Sequence, residues 1–485
     1  MLKYDDSSEE SIVTYAEQLV DKTIEEIISF TEDTVGINIK NKGMIGQFIE
    51  EYWFGQKPNS SPLPDFEKVG IELKVIPLIK QTKKIAVKER TKICSIDYKK
   101  LIDESWETSH AKIKLNKILF VYYLYEKENI LQSKVMKIDL WELSQGTNEI
   151  IIKQDWLGVK DNIVEGNAHL LSESQSKVLA ASRSGSGGKD KYGEPKDLVE
   201  QPNQQYEDKA LKRAFSLKSS FTNQRWIEIS TRTKYESIIE TLHISNLDSL
   251  EQDVLEKINS LQGKSVLELS ELFDIVVGKS KSRVAAVMKK IIGFKNVRSK
   301  IKEFEQLGIE IKMINVRKND NRPLEAISFP AMKLQEFIVE EWEESSFLPM
   351  ISKILFIPIY KEHKDIKDLG KLFLGKAFFW TPNKFDLEKI QQEWTMYQSE
   401  VRCGKCKVAK IAWNIKKGYK EVSLLSKESD TSIIHMRPHG RDSDDRDEDL
   451  LGNSIVKQSF WLNIKFVQKL LIQNMVQGNK NENRD

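Results

Sequence analysis

Between Val69 and Ile76 the chain alternates, with Ile71, Leu73 and Val75 on one side and Glu72 and Lys74 on the other, the period of a half-buried strand. Asp65 stands just ahead, after Pro64, where a turn can bring its carboxylate beside that of Glu72. Upstream, residues 8–30 read as a pair of helices, capped by Ser7 or Ser8, with Ile12, Tyr15, Ala16 and Leu19 at helical spacing. Lys42 to Gly55 predicts a further helix, its apolar face formed by Ile45, Phe48, Ile49 and Trp53 and its end set by Gly55. Glu50 and Glu51 lie within it. Downstream, Trp106 to Leu115 leads into an apolar strand from Ile118 to Tyr123. Residues 172–206 shift to Ser, Gly, Lys and Pro and predict a mobile loop, followed by a short basic strand from Arg213 to Lys218.

The same order of elements then recurs at an offset of roughly 240 residues. Gln18 to Glu26 returns as Ser260 to Glu268, Asp65 to Lys74 as Glu303 to Lys312, and Trp106-Glu107 leading to Ile118 as Trp342-Glu343 leading to Ile354. Chance would not hold that register over three separated elements. The chain therefore reads as two homologous domains, 1–232 and 233–485. They are not equivalent: Glu303 stands for Asp65, Met288 falls near the place of Glu50, and Met350 replaces Lys114. Thioethers in place of a carboxylate and a lysine remove charge where a cation and a phosphate would need it. The second domain reads as a DNA-binding copy without catalysis, a weak site on Glu303, Glu310 and Lys312 being the alternative.

Composition narrows the compartment more than the chemistry. At 485 residues, 40% hydrophobic and 31% charged, with a formal charge of +2, the chain has a globular balance that neither demands nor excludes nucleic acid. Three cysteines, Cys94, Cys403 and Cys406, give no disulfide framework, and a polar N-terminus without a long apolar run predicts a cytoplasmic protein with no membrane contact.

Two carboxylates and a lysine in the order of Asp65, Glu72 and Lys74 suit phosphodiester hydrolysis. A divalent metal on the carboxylates neutralises developing charge, and Mg2+ accepts one or two carboxylates plus water. Lys74 is placed to hold the attacking water and stabilise the phosphate. Taken alone, a Glu-x-Lys pair on a wet strand face is usually only solvated. Glu50 reads either as a solvated helix residue or as a group reaching the metal site or Lys74. Cys403, Cys406, His435 and His439 have zinc-ligand chemistry at an unfavourable spacing, and the acidic run Asp442 to Asp449 reads as a solvated loop.

The neighbours of the motif change the odds. Lys42-Gly43 with Gly46 and Glu50, then Pro64-Asp65-Phe66, Gly70-Ile71-Glu72-Leu73-Lys74 and Ile76-Pro77, then Trp106-Glu107-Thr108-Ser109-His110 with Lys114, resemble the MutH family of mismatch-repair nicking endonucleases. The motif string is that of PD-(D/E)xK nucleases, and the two-domain layout resembles the family's type II restriction-enzyme cousins that cut GATC. The resemblance implies an α/β fold with a mixed sheet flanked by helices, in two tandem restriction-endonuclease-fold domains, the second degenerate. It also implies Mg2+-dependent cleavage of duplex DNA 5' of the G of GATC, and a C-terminal effector domain that binds a second GATC. By it Asp65, Glu72 and Lys74 are catalytic, Asp65 and Glu72 hold the metal, Glu50 supports the site and Lys114 contributes to it.

Candidate DNA contacts are Lys42, Ser109, His110, Arg183, Arg213, Ser216 and Lys218 in the first domain and Arg437, Pro438 and Trp461 in the second. The family reads bases with an Arg-Pro pair and a tyrosine near its C-terminal end. The first domain holds Ser182-Arg183 and Ser216 at those places, whereas the second keeps Arg437-Pro438 and carries Trp461. The expectation is a bacterial restriction enzyme, monomeric when free, that dimerises on DNA with looping between sites. A MutH-type nickase and a non-catalytic DNA-looping protein are the alternatives.

Overall fold

The computed structural model describes residues 3–30, 42–56, 61–81, 84–145, 148–185, 195–203, 209–231, 235–236, 238, 249–275, 283–294, 300–406, 409–414, 418–442 and 444–481. Its contacts divide the chain into one unit of Met1–Tyr235 with Glu305–Leu307 and another of Glu236–Phe304 with Gly308–Asp485.

In the first unit, α1 (Glu9–Glu17) starts at Ser8, whose side chain accepts from Ser11 N–H, and α2 (Ile24–Ser29) starts with a reciprocal box between Thr23 and Glu26. The apolar positions anticipated on this pair, Ile12, Ala16 and Leu19, are fully buried. Helix α3 (Lys42–Phe48) runs on through one wide π turn, Ile49–Trp53, and the chain turns out at Gly55 with φ 70°. Trp53 lies partly exposed and stacks on Tyr15 at 5.0 Å, while Phe54 is buried in its place.

The strands of its two larger sheets are β1 (Glu72–Gln81), β2 (Lys84–Val87), β3 (Thr91–Ser95), β4 (Lys117–Leu124), β5 (Lys134–Glu142), β6 (Leu179–Arg183) and β7 (Arg213–Leu217). One mixed sheet has the order β2-β1-β4-β5, with β1 and β4 parallel, and a smaller antiparallel sheet has the order β3-β7-β6. Between them in sequence lie α4 (His110–Leu115) and α5 (Asn148–Val164). The motif strand starts at Glu72, later than its alternation suggested. Phe66 and Ile71 pair with one another across a tight loop, N–H to O at 2.9 and 3.2 Å, and Gly70 takes φ 69° to close it. The loop predicted over 172–206 is corrected in part: Leu179–Arg183 is a strand, because its small residues pack in the sheet on both faces. Residues 186–194 and 204–208 lie outside the described residues.

The second unit repeats the plan. Helix α6 (Val266–Leu272) opens with the same box, now Ser265 and Glu268. Strands β8 (Ile309–Arg317), β9 (Arg322–Pro323), β11 (Lys353–Lys361), β12 (Phe373–Leu374) and β13 (Phe378–Trp380) form one sheet, while β10 (Ile327–Ser328), β14 (Ile434–Pro438) and β15 (Gln458–Leu462) form the smaller one. A long helix, α7 (Lys384–Arg402), lies in the place of α5. Register repeats as well: Glu72 pairs with Ile118 and Lys74 with Phe120, just as Glu310 pairs with Ile354 and Lys312 with Phe356. Among the described residues no helix is long and apolar enough to cross a membrane.

Candidate functional site

Glu72 is the first residue of β1, and its carboxylate is only 2% exposed. The face that alternation left wet is therefore covered, and the solvated-face alternative falls. Lys74 Nζ lies 2.5 Å from Glu72 Oε1, and Lys114 Nζ lies 3.0 and 2.9 Å from Oε1 and Oε2. A carboxylate this deep needs such partners, because its desolvation is repaid only by close opposite charge. Lys114 arrives on α4, which Ser109 caps by accepting from Lys112 N–H at 3.1 Å.

Asp65 is brought in by the Gly70 loop, and Leu73 N–H donates to its Oδ2 at 2.8 Å. Burial, and then the charge of Glu72, raise the Asp65 pKa above the ordinary carboxylate range, with Lys74 opposing. Helix α3 packs on β1 with Gly46 against Val75, and the π turn that follows presents Glu50. Glu50 is likewise raised, by burial and then by Asp65. Such wide turns often mark functional positions. Asp65, Glu72 and Glu50 thus share one field with Lys74 and Lys114.

This donor set fits a hard divalent cation. Hard carboxylate oxygens crowd together, and two of the acids hold protons more tightly than usual, which bound positive charge would reverse. Among the described residues no three His, Cys, Asp or Glu side chains form a ready-made metal cage. Mg2+ does not require one, since water and phosphate oxygens complete its shell. The Cys403, Cys406, His435 and His439 set is not gathered either: His435 Nδ1 is 2.7 Å from Asn463 Oδ1, and His439 Nδ1 is 3.1 Å from Phe329 O.

The corresponding place in the second unit is looser. Glu310 is half exposed, and Lys312 lies 3.9 Å from its Oε2 while donating to Ser328 O at 3.1 Å, with its ammonium 4.8 Å from the Phe329 ring centre. Burial lowers the Lys312 pKa. Glu303 is buried and accepts from Ile238 N–H at 3.0 Å, and Met288 is buried in the core.

Several expected DNA contacts have structural roles instead. Ser109 is fully buried as a helix cap, donating to Trp106 O at 2.9 Å. Arg213 is buried and donates to Ala181 O at 2.8 Å, and Ser216 is buried 2.6 Å from the Ser182 hydroxyl. Both residues lie on a strand hidden on both faces, which a basic tally could not reveal. Arg183 forms a two-pronged pair with Asp197 at 3.0 and 2.8 Å, and Lys218 donates to Ser176 O. His110 remains half exposed, near Glu104. The Lys42 side chain lies outside the described residues.

In the second unit Arg437 and Trp461, expected to contact DNA, do meet. The Arg437 guanidinium lies 3.7 Å from the centre of the Trp461 ring, which His439 flanks at 4.8 Å, and Arg437 and Pro438 are exposed. The two small sheets share a register that makes the pairs comparable. Ser182 faces Ala214 as Arg437 faces Ser459, and Ala180 faces Ser216 as His435 faces Trp461. One diagonal thus holds two hydroxyls in the first copy and a cation on an indole in the second.

Sequence reasoning missed two features of these sheets. Asp155 on α5 accepts from Lys177, Val178 and Leu179 N–H at 2.7, 2.6 and 2.8 Å, pinning the start of β6. Glu393 on α7 does the same for Ser432, Ile433 and Ile434 at 2.5, 3.1 and 2.9 Å, pinning β14. Their signal was an acid-tryptophan pair on an apolar helix face, Asp155-Trp156 recurring as Glu393-Trp394. The second feature is Lys92 with Cys94. Burial pushes the Cys94 thiol up to about 12, and the charges acting on it next are those of Lys114, Glu104, Lys74 and Glu72, so this face of β3 looks onto the lysines of the site.

The sequence profile described as "DNA mismatch repair enzyme MutH" matches residues 54–155 and again 292–393. The chain is 30% identical over 473 residues to the type II restriction enzyme Sau3AI of Staphylococcus aureus, covering 90% of this chain and 93% of that protein. It is 28% identical over 222 residues to the DNA mismatch repair protein MutH of Vibrio cholerae serotype O1 (strain M66-2), covering 45% of this chain and 95% of that one. With MutH of Vibrio campbellii the figures are 29% over 226 residues, 46% and 95%.

Proposed function

This chain belongs to the family of MutH-related type II restriction enzymes, and on that premise we propose that it cuts duplex DNA at GATC, 5' of the G, using Mg2+. The active site is in the first domain, 1–232, and the second domain, 233–485, binds a further GATC as effector. The observation that carries this reading is the buried Glu72 gripped by Lys74 and Lys114 beside Asp65, set against the half-exposed Glu310 of the other copy, which has only a loose 3.9 Å contact with Lys312.

Asp65 and Glu72 are the residues that would hold the cation, which when bound supplies charge neutralisation at the phosphate and a more acidic water. Lys74 orients the attacking water and stabilises charge growing on the phosphate oxygens. Lys114 holds the Glu72 carboxylate in place through both of its oxygens. Burial and then Asp65 raise the Glu50 pKa, a shift that bound positive charge would oppose. Arg437, with Pro438 beside it and Trp461 beneath it, presents a flat fork of donors suited to the major-groove edge of guanine.

One active site per chain cuts one strand at a time. Two chains, monomeric when free, therefore assemble on the DNA and loop it between sites. A MutH-type nickase is the second reading. Against it, the mismatch-repair relatives account for less than half of this chain, whereas the restriction enzyme matches both halves.

The test is cleavage of a labelled duplex bearing one GATC, with Mg2+, by wild type and Lys74→Ala, with and without a second, uncleavable GATC duplex. Double-strand cutting by the unaided wild type, absent in Lys74→Ala and accelerated by the second duplex, is the expected result. Binding without cutting overturns it in favour of a partner-dependent nickase or a looping protein.

A further inference from the structure

The outer face of β3 carries positive charge that no carboxylate among the described residues pairs with. Thr91 and Ile93 point inward and Lys92 outward, and a bulge between Lys92 and Cys94 shifts the register against β7. Lys92 Nζ donates to Ser184 Oγ at 3.1 Å, and Ser184 N–H donates to Lys212 O at 2.8 Å, so both lysines belong to one corner at the end of the small sheet. After burial, the charges that act on Lys92 are Lys212, Cys94 and Lys74, and its pKa is lowered; no carboxylate stands among them. Neighbouring cations in the same unit are matched: Lys74 and Lys114 by Glu72, Arg183 by Asp197, Arg225 by Asp139. Like charges gathered without a carboxylate among the described residues repel one another, and an anion relieves that repulsion.

We propose that Lys92, with Lys212 and the Ser184 hydroxyl, binds a backbone phosphate of the duplex flanking the one cut at Glu72 and Lys74. This rests on the nuclease reading above and adds to it a positioning contact for the strand being cleaved. An ammonium on a flexible stem beside a hydroxyl suits a phosphate rather than a base edge, so the corner fixes register without reading sequence.

The test is binding of a GATC duplex and of a scrambled duplex to the full chain by fluorescence anisotropy, in EDTA, from 50 to 200 mM salt. For Lys92→Ala the slope of log affinity against log salt should be shallower by about 0.9, one phosphate's worth of counterion release, with an equal loss on both duplexes. Lys92→Arg should keep the wild-type slope, and Lys212→Ala supplies a second reading should Lys92→Ala fold poorly. A slope unchanged in both alanine variants, or a loss confined to the GATC duplex, overturns the phosphate site. The two proposals fail separately: a wild type that never cuts GATC while Lys92→Ala still flattens the slope removes the nuclease reading alone.

Discussion

Removing the Asp155 carboxylate tests whether the strand that ends at Arg183 is held from behind. In Asp155→Ala three backbone N–H groups lose their acceptor, at 2.7, 2.6 and 2.8 Å, two of them in buried surroundings. A buried donor left without a partner costs about 1–3 kcal/mol, and water can reach the third group at Lys177. Relief of burying a carboxylate, which raises the Asp155 pKa, offsets part of this. The net expectation is a loss of about 3 kcal/mol, a large share of the 5–15 kcal/mol that holds a typical domain. Asp155→Asn, which keeps one acceptor oxygen, should lose about half as much. Urea unfolding followed by tryptophan fluorescence measures both, and DNA cutting should fall with them as β6 loosens. A loss below about 0.5 kcal/mol for the alanine variant would refute the reasoning, because surface changes of no structural consequence fall in that range.

Other outcomes follow from the same geometry. Asp65 has a raised pKa in the fold, so its neutral form is favoured there; the stability this brings is complete below the unfolded pKa, near 3.9, and is lost as pH rises through the folded value. Asp65→Asn should therefore be more stable than wild type in metal-free buffer at pH 7.5 but not at pH 3.5, while losing cleavage; an equal gain at both pH values in thermal melts would contradict this. Lys114→Met, which copies Met350, should abolish cutting and lower the melting temperature by leaving Glu72 with one cation, yet keep duplex binding in gel shifts. Trp461→Ala should leave cutting of a one-site duplex intact and remove its stimulation by a second duplex. Stimulation that persists in cleavage assays would exclude the Arg437–Trp461 pair from effector binding.

How far the sequence could be read depended on whether a side chain's fate was local. The cap at Ser8 and the recurrence of Gln18 to Glu26 as Ser260 to Glu268 are written in neighbouring residues, and the structure bears both out, the recurrence as matching boxes at Thr23 and Ser265. The burial of Glu72 was not legible, because alternation tells which residues share a face but not what covers it; that is set by Lys114, which lies 42 residues on. Arg213 and Ser216 misled for the same reason, a basic and a hydroxyl residue on a strand enclosed from both sides. Leu179–Arg183 was hidden among Ser and Gly because small residues serve a tightly packed strand as well as a loop. Lys92 needed the bulge at its strand pair, which alternation alone does not encode.

The added contacts of the second copy's lysine bear on the evolutionary path. Lys312 lies over Phe329 and bonds to Ser328, while Glu303, the counterpart of Asp65, is engaged with Ile238. Restoring a glutamate at Met288 and a lysine at Met350 would therefore not rebuild a nuclease: each old ligand would first have to abandon a contact that now supports folding. The two copies are thus separated by their hydrogen bonds as well as by their residues, and substitution at two positions alone does not bridge that distance.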